Sequence, residues 1–403
     1  MDHTDLVDLQ RDGGFRARRA LERLREGLYD ALAVRLLTVH QEVLEAEFDA
    51  GLQRLEAGEA AHLCVCGPYG QGKSHSLTYL RERALAQGYA VSAINLDPRE
   101  APLHLFPQVY RALLETLTFP APVSLLEAWQ SWVQAQDLPQ ENRSLALAER
   151  LPQDMPHPFK AILVALAQST QHVPQGMRVL KSYRDYRPTD FPVILHRALM
   201  GEAVPVARLR PALKYRQVDF YRQASLALRG DEPFIRMVAA LSQLLRLMGY
   251  KGWVLFFDEG EAIIQVRSPM RARAYHVLHR LLYPATSQPG FYPIFAFTPE
   301  FFQQIREEDY DVPYFDQDYD RAWRHLSVYQ LRSLSRQAWQ RLSETLIVLH
   351  GVAYQWPADR QRLEPLLTAR LDRLPLEDTR ATLKALVDEL DQVQQQDFFA
   401  SVA

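Results

Sequence analysis

The chain has 403 residues, of which 47% are hydrophobic and 24% are charged, a composition that is ordinary for a globular protein of one or two domains. Its formal net charge is −3, so any attraction to nucleic acid or to a membrane surface must be local. The first residues are polar, and no apolar run approaches the ~20 residues that a membrane-spanning helix requires. We therefore expect no secretory signal, no membrane span and a cytoplasmic location.

The first part of the chain alternates helical and strand patterns. Helical periodicity runs through residues 15–57 and ends at Gly58, and the short apolar run AHLCVC at 61–66 predicts a central strand. A helix that ends near Gly88, a second strand in YAVSAINLDP and a helix in PLHLFPQVYRALLETL follow. Because strands that alternate with helices are typical of a parallel sheet, this order predicts an α/β fold with a parallel sheet flanked by helices.

Strand patterns stop between about Ala121 and Tyr250, where helical segments are separated by proline-rich joints, and we predict a large all-helical insertion there. The sheet resumes with GWVLFFDEGEAI and GFYPIFAFTPEFF, and SVYQLRSLS predicts a last short strand before three C-terminal helices. The predicted divisions are 1–120 (N-terminal helices and the first part of the sheet domain), 121–250 (helical insertion), 251–334 (second part of the sheet domain) and 335–403 (C-terminal helical bundle).

Two cysteines, Cys64 and Cys66, alternate in the first predicted strand. A C-x-C pair without further cysteines cannot complete a zinc site unless histidines contribute. We interpret the pair as buried strand residues that remain reduced thiols.

A glycine-rich segment, GPYGQGKSHS, follows that strand and precedes a predicted helix, with the spacing G-x-x-x-x-G-K-[ST]. Its glycines let backbone N–H groups turn toward a phosphate, and the next helix directs its positive dipole end at the same group. Lys73 would neutralise the β- and γ-phosphates of ATP, and the Ser74 hydroxyl would ligate Mg²⁺. An ordinary glycine turn with a chance lysine is the alternative. The predicted nucleotide-binding residues are Gly67, Pro68, Tyr69, Gly70, Gln71, Gly72, Lys73, Ser74 and His75.

Two carboxylates end the apolar run that begins at Trp253. Open α/β sheets bind ligands at the carboxyl ends of their strands, where Asp258 and Glu259 would stand. Asp258 would orient the Mg²⁺ shell, and Glu259 would act as general base for the attacking water. An acidic pair in an ordinary turn is the alternative, and we assign no role to the nearby Glu261.

Two polar residues end other predicted strands. Thr298 follows PIFAF in a strand that would lie between those ending at Cys66 and Asp258, and its hydroxyl could bond the γ-phosphate or the attacking water. Asn95 could hold Glu259 in an unproductive position until a partner arrives. For both residues, a simple turn former is the more common case.

Arginines near the last strand and in the C-terminal bundle are candidates for contacts with the transferred phosphate. Arg321 and Arg324 precede the last predicted strand, where an arginine can reach the γ-phosphate bound by a neighbouring subunit. Arg380 begins a helix of the bundle and could contact the nucleotide of its own subunit. For each of the three, a solvated surface charge is an equally good interpretation.

Together, the glycine loop, the Asp-Glu pair, the threonine strand and the arginines resemble the AAA+ ATPase plan, in its initiator or origin-recognition-like branch. More narrowly, GPYGQGKSHSLTYLRERAL, INLDPREAPLHLFPQVYRAL, GWVLFFDEGEAI and FAFTPEFF resemble the ATP-binding proteins of BREX phage-defence systems. The resemblance covers roughly residues 15–120 and 245–395. One departure is Asp378-Thr379-Arg380, because the family more often has a proline before that arginine.

The resemblance implies a P-loop AAA+ sheet domain with a C-terminal helical lid, and ATP and Mg²⁺ as cofactors. It also implies a homo-oligomeric ring or spiral and ATP-dependent action on double-stranded DNA, often beside a helicase or a DNA-modifying enzyme.

A basic segment between Arg178 and Arg222 gives the chain a local asymmetry that its net charge hides, with interleaved tyrosines and few acids. Arginine supplies contacts to DNA phosphates, and tyrosine stacks on bases or bonds the backbone. A solvated face whose arginines pair with acids elsewhere is the alternative. The predicted DNA contacts are Arg208, Arg210, Lys214 and Arg216.

We therefore interpret the chain as an ATPase that self-assembles and acts on duplex DNA, or loads or regulates a helicase partner. The alternative is a nucleotide-gated scaffold or signalling switch that hydrolyses ATP slowly and does not touch DNA. DNA-stimulated ATPase activity would distinguish the two. A small-molecule kinase is disfavoured, because it needs neither the bundle arginine nor an Asp-Glu pair poised on water.

Overall fold

The computed structural model describes residues 13–28, 30–39, 41–139, 141–168, 190–218, 220, 225–285 and 289–402. The helices are α1 (Phe15–Arg25), α2 (Ala31–Leu37), α3 (Glu42–Glu56), α4 (Lys73–Ala86), α5 (Phe106–Glu115), α6 (Leu125–Gln134), α7 (Arg143–Arg150), α8 (His157–Ala167), α9 (Phe191–Leu199), α10 (Val206–Tyr215), α11 (Glu232–Leu247), α12 (Ser268–Leu282), α13 (Pro299–Glu307), α14 (Tyr319–Ala322), α15 (Arg336–Tyr354), α16 (Arg360–Leu371) and α17 (Thr379–Val402). The strands are β1 (Leu63–Cys66), β2 (Ala90–Asn95), β3 (Trp253–Asp258), β4 (Phe291–Phe297) and β5 (Val328–Gln330), and a 3-10 helix, Gly260–Gln265, follows β3. None of the described helices combines the length and the apolar composition that crossing a bilayer requires.

The five strands form one parallel sheet in the order β2-β3-β4-β1-β5. Helices connect consecutive strands, so the carboxyl ends of all the strands lie along the same edge of the sheet. The strand that ends before Thr298 lies between β1 and β3. The predicted α/β fold with a helix-flanked parallel sheet is confirmed.

Both faces of the sheet are covered by helices, which explains why its strands are continuous apolar runs rather than alternating ones. In β3, Trp253 and Leu255 belong to one hydrophobic core, and Val254 and Phe256 belong to another. Helices α5, α11 and α12 cover the first face, and α3 and α4 cover the second. This double cover leaves the strand ends as the place where polar side chains can gather.

The two cysteines of β1 are buried free thiols, as predicted. Burial raises the pKa of both Cys64 and Cys66, so they stay protonated at neutral pH. Within the described ranges, no group of three or more His, Cys, Asp or Glu residues is placed to hold a metal ion.

The described residues between Ala121 and Tyr250 contain helices as their only regular elements, in agreement with the absence of strand patterns there. Their buried side chains, such as Trp129, Phe159 and Leu213, join the core that also covers one face of the sheet. This helical part therefore extends the sheet domain instead of forming a core of its own.

The first two helices share a hydrophobic core with the C-terminal helices α15, α16 and α17. Ala20 and Leu21 on one face of α1 are buried there with Leu346 of α15. Gly14 has a φ of 79°, and a Cβ at this position would collide with the carbonyl oxygen of Val352. The sequence pattern places α1 and α2 with the first part of the sheet domain, but their apolar stripes find partners at the far end of the chain.

A polar network ties α1 to this C-terminal bundle. Arg25 donates to both carboxylate oxygens of Asp391 in α17, at 2.8 and 2.5 Å. The buried His350 bonds the same carboxylate at 2.8 Å, and its Nδ1 accepts from the indole N–H of Trp356 at 2.9 Å. Burial alone would raise the pKa of Asp391, but the bonds from His350 and Arg25 hold that pKa below its usual value.

Candidate functional site

A cavity of about 540 Å³ lies at the carboxyl edge of the sheet. Its walls come from the glycine loop after β1, the turns after β2 and β3, helix α1 with the segment around α2, and the start of α17. Of the predicted loop residues, those from Tyr69 to His75 line the cavity, whereas Gly67 and Pro68 connect the loop to β1. The fold thus gathers residues that are far apart in the sequence.

The glycine loop carries its lysine inside the turn. Gly70 and Gly72 have φ values of 82° and 101°, a left-handed backbone that glycine adopts without strain. Lys73 is only 7% exposed, and its ammonium donates to the carbonyl oxygens of Gly67 at 2.8 Å and Pro68 at 3.2 Å. Together with the unpaired N–H groups of the first turn of α4, this ammonium makes one end of the cavity positive and suited to a phosphate.

Two carboxylates stand at the end of β3 and line the same cavity as the glycine loop. Asp258 is 8% exposed, and its Oδ1 accepts from the backbone N–H of Glu259 at 2.9 Å. Glu259 has a φ of 56°, an uncommon conformation for a residue other than glycine that recurs at functional sites. Partial burial and the charges of Asp258 and Glu261 raise the pKa of Glu259, which increases its affinity for a proton from water.

Glu261 also lines the cavity, although no motif identified it. The turn that carries it is held close to β4, because a Cβ on Gly260 would lie 2.5 Å from the ring of Phe297. One carboxylate oxygen of Glu261, Oε2, is buried and has no hydrogen-bond partner among the described residues. Burial raises the pKa of Glu261, and the charge of Lys73 partly opposes that rise. A carboxylate three residues after Asp258 is the sequence signal that could have revealed it.

Asn95 and Thr298 end the strands on either side of β3. Asn95 is paired in register with Asp258 and lines the cavity. Thr298 is 7% exposed, lies outside the cavity lining, and bonds the carboxylate of Glu300 through its hydroxyl, which lowers the pKa of Glu300. Asn95 therefore shares the cavity with Glu259, whereas Thr298 is engaged at the strand end beside it.

Arg380 lies at the mouth of the cavity, at the start of α17. Its backbone N–H donates to the carbonyl oxygen of Gly70 at 3.1 Å, and its guanidinium donates to the Tyr69 hydroxyl at 2.8 Å. Of the three arginines predicted for phosphate contacts, Arg380 is the one that the fold brings to the glycine loop of its own chain.

Sequence reasoning missed the wall that α1 and α2 contribute. This wall adds a second exposed arginine, Arg23, to the lining of the cavity. A third exposed arginine of the lining, Arg332, follows β5. The apolar members of this wall and of the facing bundle are Leu24, Leu28, Leu37, Val39, Leu331, Leu334, Leu342 and Leu383. No local signal marks these residues, because they reach the cavity only through the packing of α1 and α2 against the bundle.

His75 connects the loop helix to the segment after α2. Its Nε2 lies 2.8 Å from the hydroxyl oxygen of Thr38. Because that hydroxyl donates its proton to the carbonyl of Val34, at 2.6 Å, His75 is the donor. Burial lowers the pKa of His75 to about 4, so the ring is neutral at pH 7 and positions the helix instead of offering a charge to a phosphate.

Arg321 and Arg324 are exposed and do not line this cavity. Arg321 belongs to the short helix α14, where its backbone N–H donates to the capping side chain of Asp318 at 3.0 Å. The expectation that either arginine serves a neighbouring subunit stays a prediction.

The predicted DNA contacts are divided by their burial. Arg208 and Arg210 of α10 are exposed, and Lys214 is half-buried. Arg216 is 8% exposed, its guanidinium donates to the carbonyl oxygen of Gln168, and burial lowers its pKa. The guanidinium of Arg216 is therefore engaged inside the protein, whereas Arg208 and Arg210 face solvent. DNA contact by any of the four residues stays a prediction. The other basic residues of this segment that lie outside the described residues are Arg178, Lys181, Arg184, Arg187 and Arg222.

Comparison with known proteins gives one match. A family model described as BREX system ATP-binding protein BrxC/D matches residues 15–195 and 223–401. These ranges include the glycine loop, the carboxylates after β3 and the start of α17. No curated protein and no solved structure gives a match.

Proposed function

The chain belongs to the BREX system ATP-binding protein family, and from that premise we propose that it binds ATP with Mg²⁺ and hydrolyses ATP in phage defence. The observation that carries the proposal is one cavity whose lining includes Lys73 of the glycine loop together with Asp258 and Glu259 from the end of β3. Its volume of about 540 Å³ lies in the range of about 300–1,000 Å³ that small-molecule sites occupy.

The polar lining residues of the cavity suit the triphosphate, and its leucines suit the base. The Lys73 ammonium, which bonds neutral carbonyls, would exchange them for phosphate oxygens, because a phosphate adds the attraction of an opposite charge that a neutral carbonyl lacks. Arg380 and Arg23 would add positive charge at the mouth. The leucines of α1 and the bundle would then face the adenine.

Asp258 and Ser74 are the residues that would hold Mg²⁺. Both line the cavity. Mg²⁺ keeps several waters and usually takes one or two carboxylates plus substrate phosphates, so a cage of protein ligands is not needed. The unpartnered Oε2 of Glu261 would accept from such a water. When bound, Mg²⁺ would neutralise charge on the phosphates.

Glu259 is our candidate for the general base. Its raised pKa favours proton uptake, and it lines the cavity next to Asp258. Asn95, at the end of the neighbouring strand, would restrain the Glu259 side chain. The Thr298 hydroxyl would exchange its bond to the Glu300 carboxylate for a bond to the γ-phosphate.

Self-assembly would complete the site. In a ring or spiral with the AAA+ plan, the exposed Arg324 or Arg321 of one copy would reach the γ-phosphate in the next. Arg208, Arg210 and Lys214 would supply contacts to duplex DNA, which repetition along the assembly multiplies. The partner would be a helicase or a DNA-modifying enzyme.

The test separates binding from hydrolysis. Lys73→Ala should abolish binding of a fluorescent ATP analogue, whereas Glu259→Gln should keep binding and stall phosphate release. Lys251→Ala is the matched control, because Lys251 precedes β3 at the opposite edge of the sheet. Equal loss of nucleotide affinity in the Lys73 and Glu259 variants would contradict these roles.

Duplex DNA separates the proposal from its alternative. Phosphate release by the parent should rise with DNA and fall with salt, and Arg208→Ala with Arg210→Ala should weaken both responses. Tight ATP binding with slow turnover that DNA leaves unchanged would instead favour a nucleotide-gated scaffold.

A further inference from the structure

The glycine loop and the start of α17 are joined by a set of contacts that phosphate binding does not require. We call this set, made by Tyr69, Gly70, Asp378 and Arg380, the loop clasp. The Arg380 guanidinium lies 4.8 Å from the centroid of the Tyr69 ring and donates to the Tyr69 hydroxyl at 2.8 Å. The Arg380 backbone N–H donates to the Gly70 carbonyl at 3.1 Å.

Asp378 brings the helix onto the loop. Its Oδ1 accepts from the backbone N–H of Ala381 at 3.0 Å, which caps the first turn of α17. A Cβ on Gly70 would lie 2.5 Å from the same oxygen, so the close approach depends on a glycine at this position. The capped helix end and the loop are therefore in direct contact.

Tyr69 has no evident structural reason to be aromatic. Its side chain is 75% exposed, and the ring is used to hold Arg380. Tyr69 holds the guanidinium by a weak cation–π attraction and one hydrogen bond to a neutral, exposed hydroxyl, whereas phosphate oxygens offer an opposite charge and bidentate bonds. A phosphate in the loop would thus compete successfully for the guanidinium.

We propose that Tyr69 is a positioning residue that holds Arg380 at the mouth of the cavity and releases it to the bound triphosphate. The inference rests on the proposed nucleotide site. Tyr69 acts through Arg380, and the clasp links occupation of the loop to the position of the C-terminal bundle.

The first experiment needs no nucleotide. The first N–H groups of a helix lack intrahelical partners, so protection of the Arg380 amide from hydrogen exchange reports its bond to Gly70. Tyr69→Ala removes the ring contact and the hydroxyl bond and should speed exchange of that amide by at least about two- to fivefold, the range of a lost exposed cation–π contact alone. The exposed Tyr314→Ala is the matched control and should leave the rate unchanged. Unchanged exchange in the Tyr69 variant would overturn the proposal.

The second experiment measures dissociation of a fluorescent ATP analogue. Tyr69→Ala frees Arg380 for the phosphate and should slow dissociation by about two- to fivefold. In an Arg380→Ala background the same substitution should have no effect. Faster dissociation, or equal effects in both backgrounds, would refute the coupling of Tyr69 to Arg380. If the parent binds no analogue, the proposed function fails and with it the release step, while the exchange result still decides whether Tyr69 holds Arg380.

Discussion

Glu261→Gln tests the carboxylate whose Oε2 lies unpaired in the cavity. The substitution keeps the shape of the side chain and removes its charge from a place near Asp258 and Glu300. An unsatisfied buried polar group costs about 1–3 kcal/mol, and glutamine should recover about 1 kcal/mol of that because its own oxygen stays unpaired. With an unfolding entropy of about 2.1 cal/mol/K per residue, the midpoint of thermal unfolding should rise by about 1 °C.

The difference in stability between the Glu261→Gln variant and the parent should depend on pH with a definite sign. Burial raises the pKa of Glu261 in the folded chain above its usual value of 4.5, so its ionisation lowers stability. The stability that the protonated carboxyl contributes is fully present below that usual value and is lost as the pH rises through the folded pKa. Glutamine does not titrate, so the variant should gain on the parent as the pH rises, and the gain should disappear near pH 4.

Glu261→Gln should weaken Mg²⁺ binding, although it stabilises the fold. Loss of a carboxylate that orients metal-bound water typically lowers metal affinity by about ten- to a hundredfold. The assay is a Mg²⁺ titration of nucleotide binding, with the exposed Glu149→Gln as the matched control. A variant that melts below the parent at neutral pH, or that keeps the parent's Mg²⁺ midpoint, would refute the reasoning.

Two further predictions concern the bundle and the assembly. Asp391→Asn removes the charge that Arg25 and His350 bond, and it should destabilise the chain by about 1–3 kcal/mol at pH 7. The pKa of Asp391 is lowered in the folded chain, so the parent loses this stability as the pH falls below 3.8 and through the folded pKa. The unfolding midpoints of the parent and the Asp391 variant should therefore converge at low pH. A difference between the two midpoints that stays constant with pH would contradict the network. Arg324→Ala should lower turnover by up to about 10³-fold at concentrations that permit assembly, without weakening ATP binding by the single subunit. Parent-like turnover across a concentration series would remove Arg324 from the site.

The parts that the sequence predicted are those where chemistry and local structure coincide. The glycine loop, with its strand before and helix after, is a contiguous pattern, and so is the apolar run that ends at Asp258. A parallel sheet then requires the strand ends to meet at one edge, which brings Lys73 and Asp258 to one cavity. The shared edge follows from periodicity and topology, and of the strand order the sequence analysis predicted only that the strand before Thr298 lies between β1 and β3.

The parts that it could not predict depend on packing between distant segments. Arg216 belongs to a basic stretch, but the fold of α10 against its neighbours buries the guanidinium on a carbonyl. Arg23 reaches the cavity because α1 packs against the C-terminal bundle, and no local pattern in α1 or in the bundle helices indicates that they pack together. Glu261 is carried by a turn that lies close to β4 at Gly260, and no local pattern in the sequence indicates that approach.

The shared core of α1, α2 and the C-terminal helices has a consequence for how the protein is made. During translation α1 and α2 leave the ribosome before the sheet, and their apolar stripes have no surface to cover them until residues 336–402 emerge. A nascent chain that stops short of α15 would hold the glycine loop and both carboxylates, yet lack the wall that carries Arg380. A nucleotide pocket with all its walls is therefore a late product of synthesis, and chaperones would meet an exposed first helix until then.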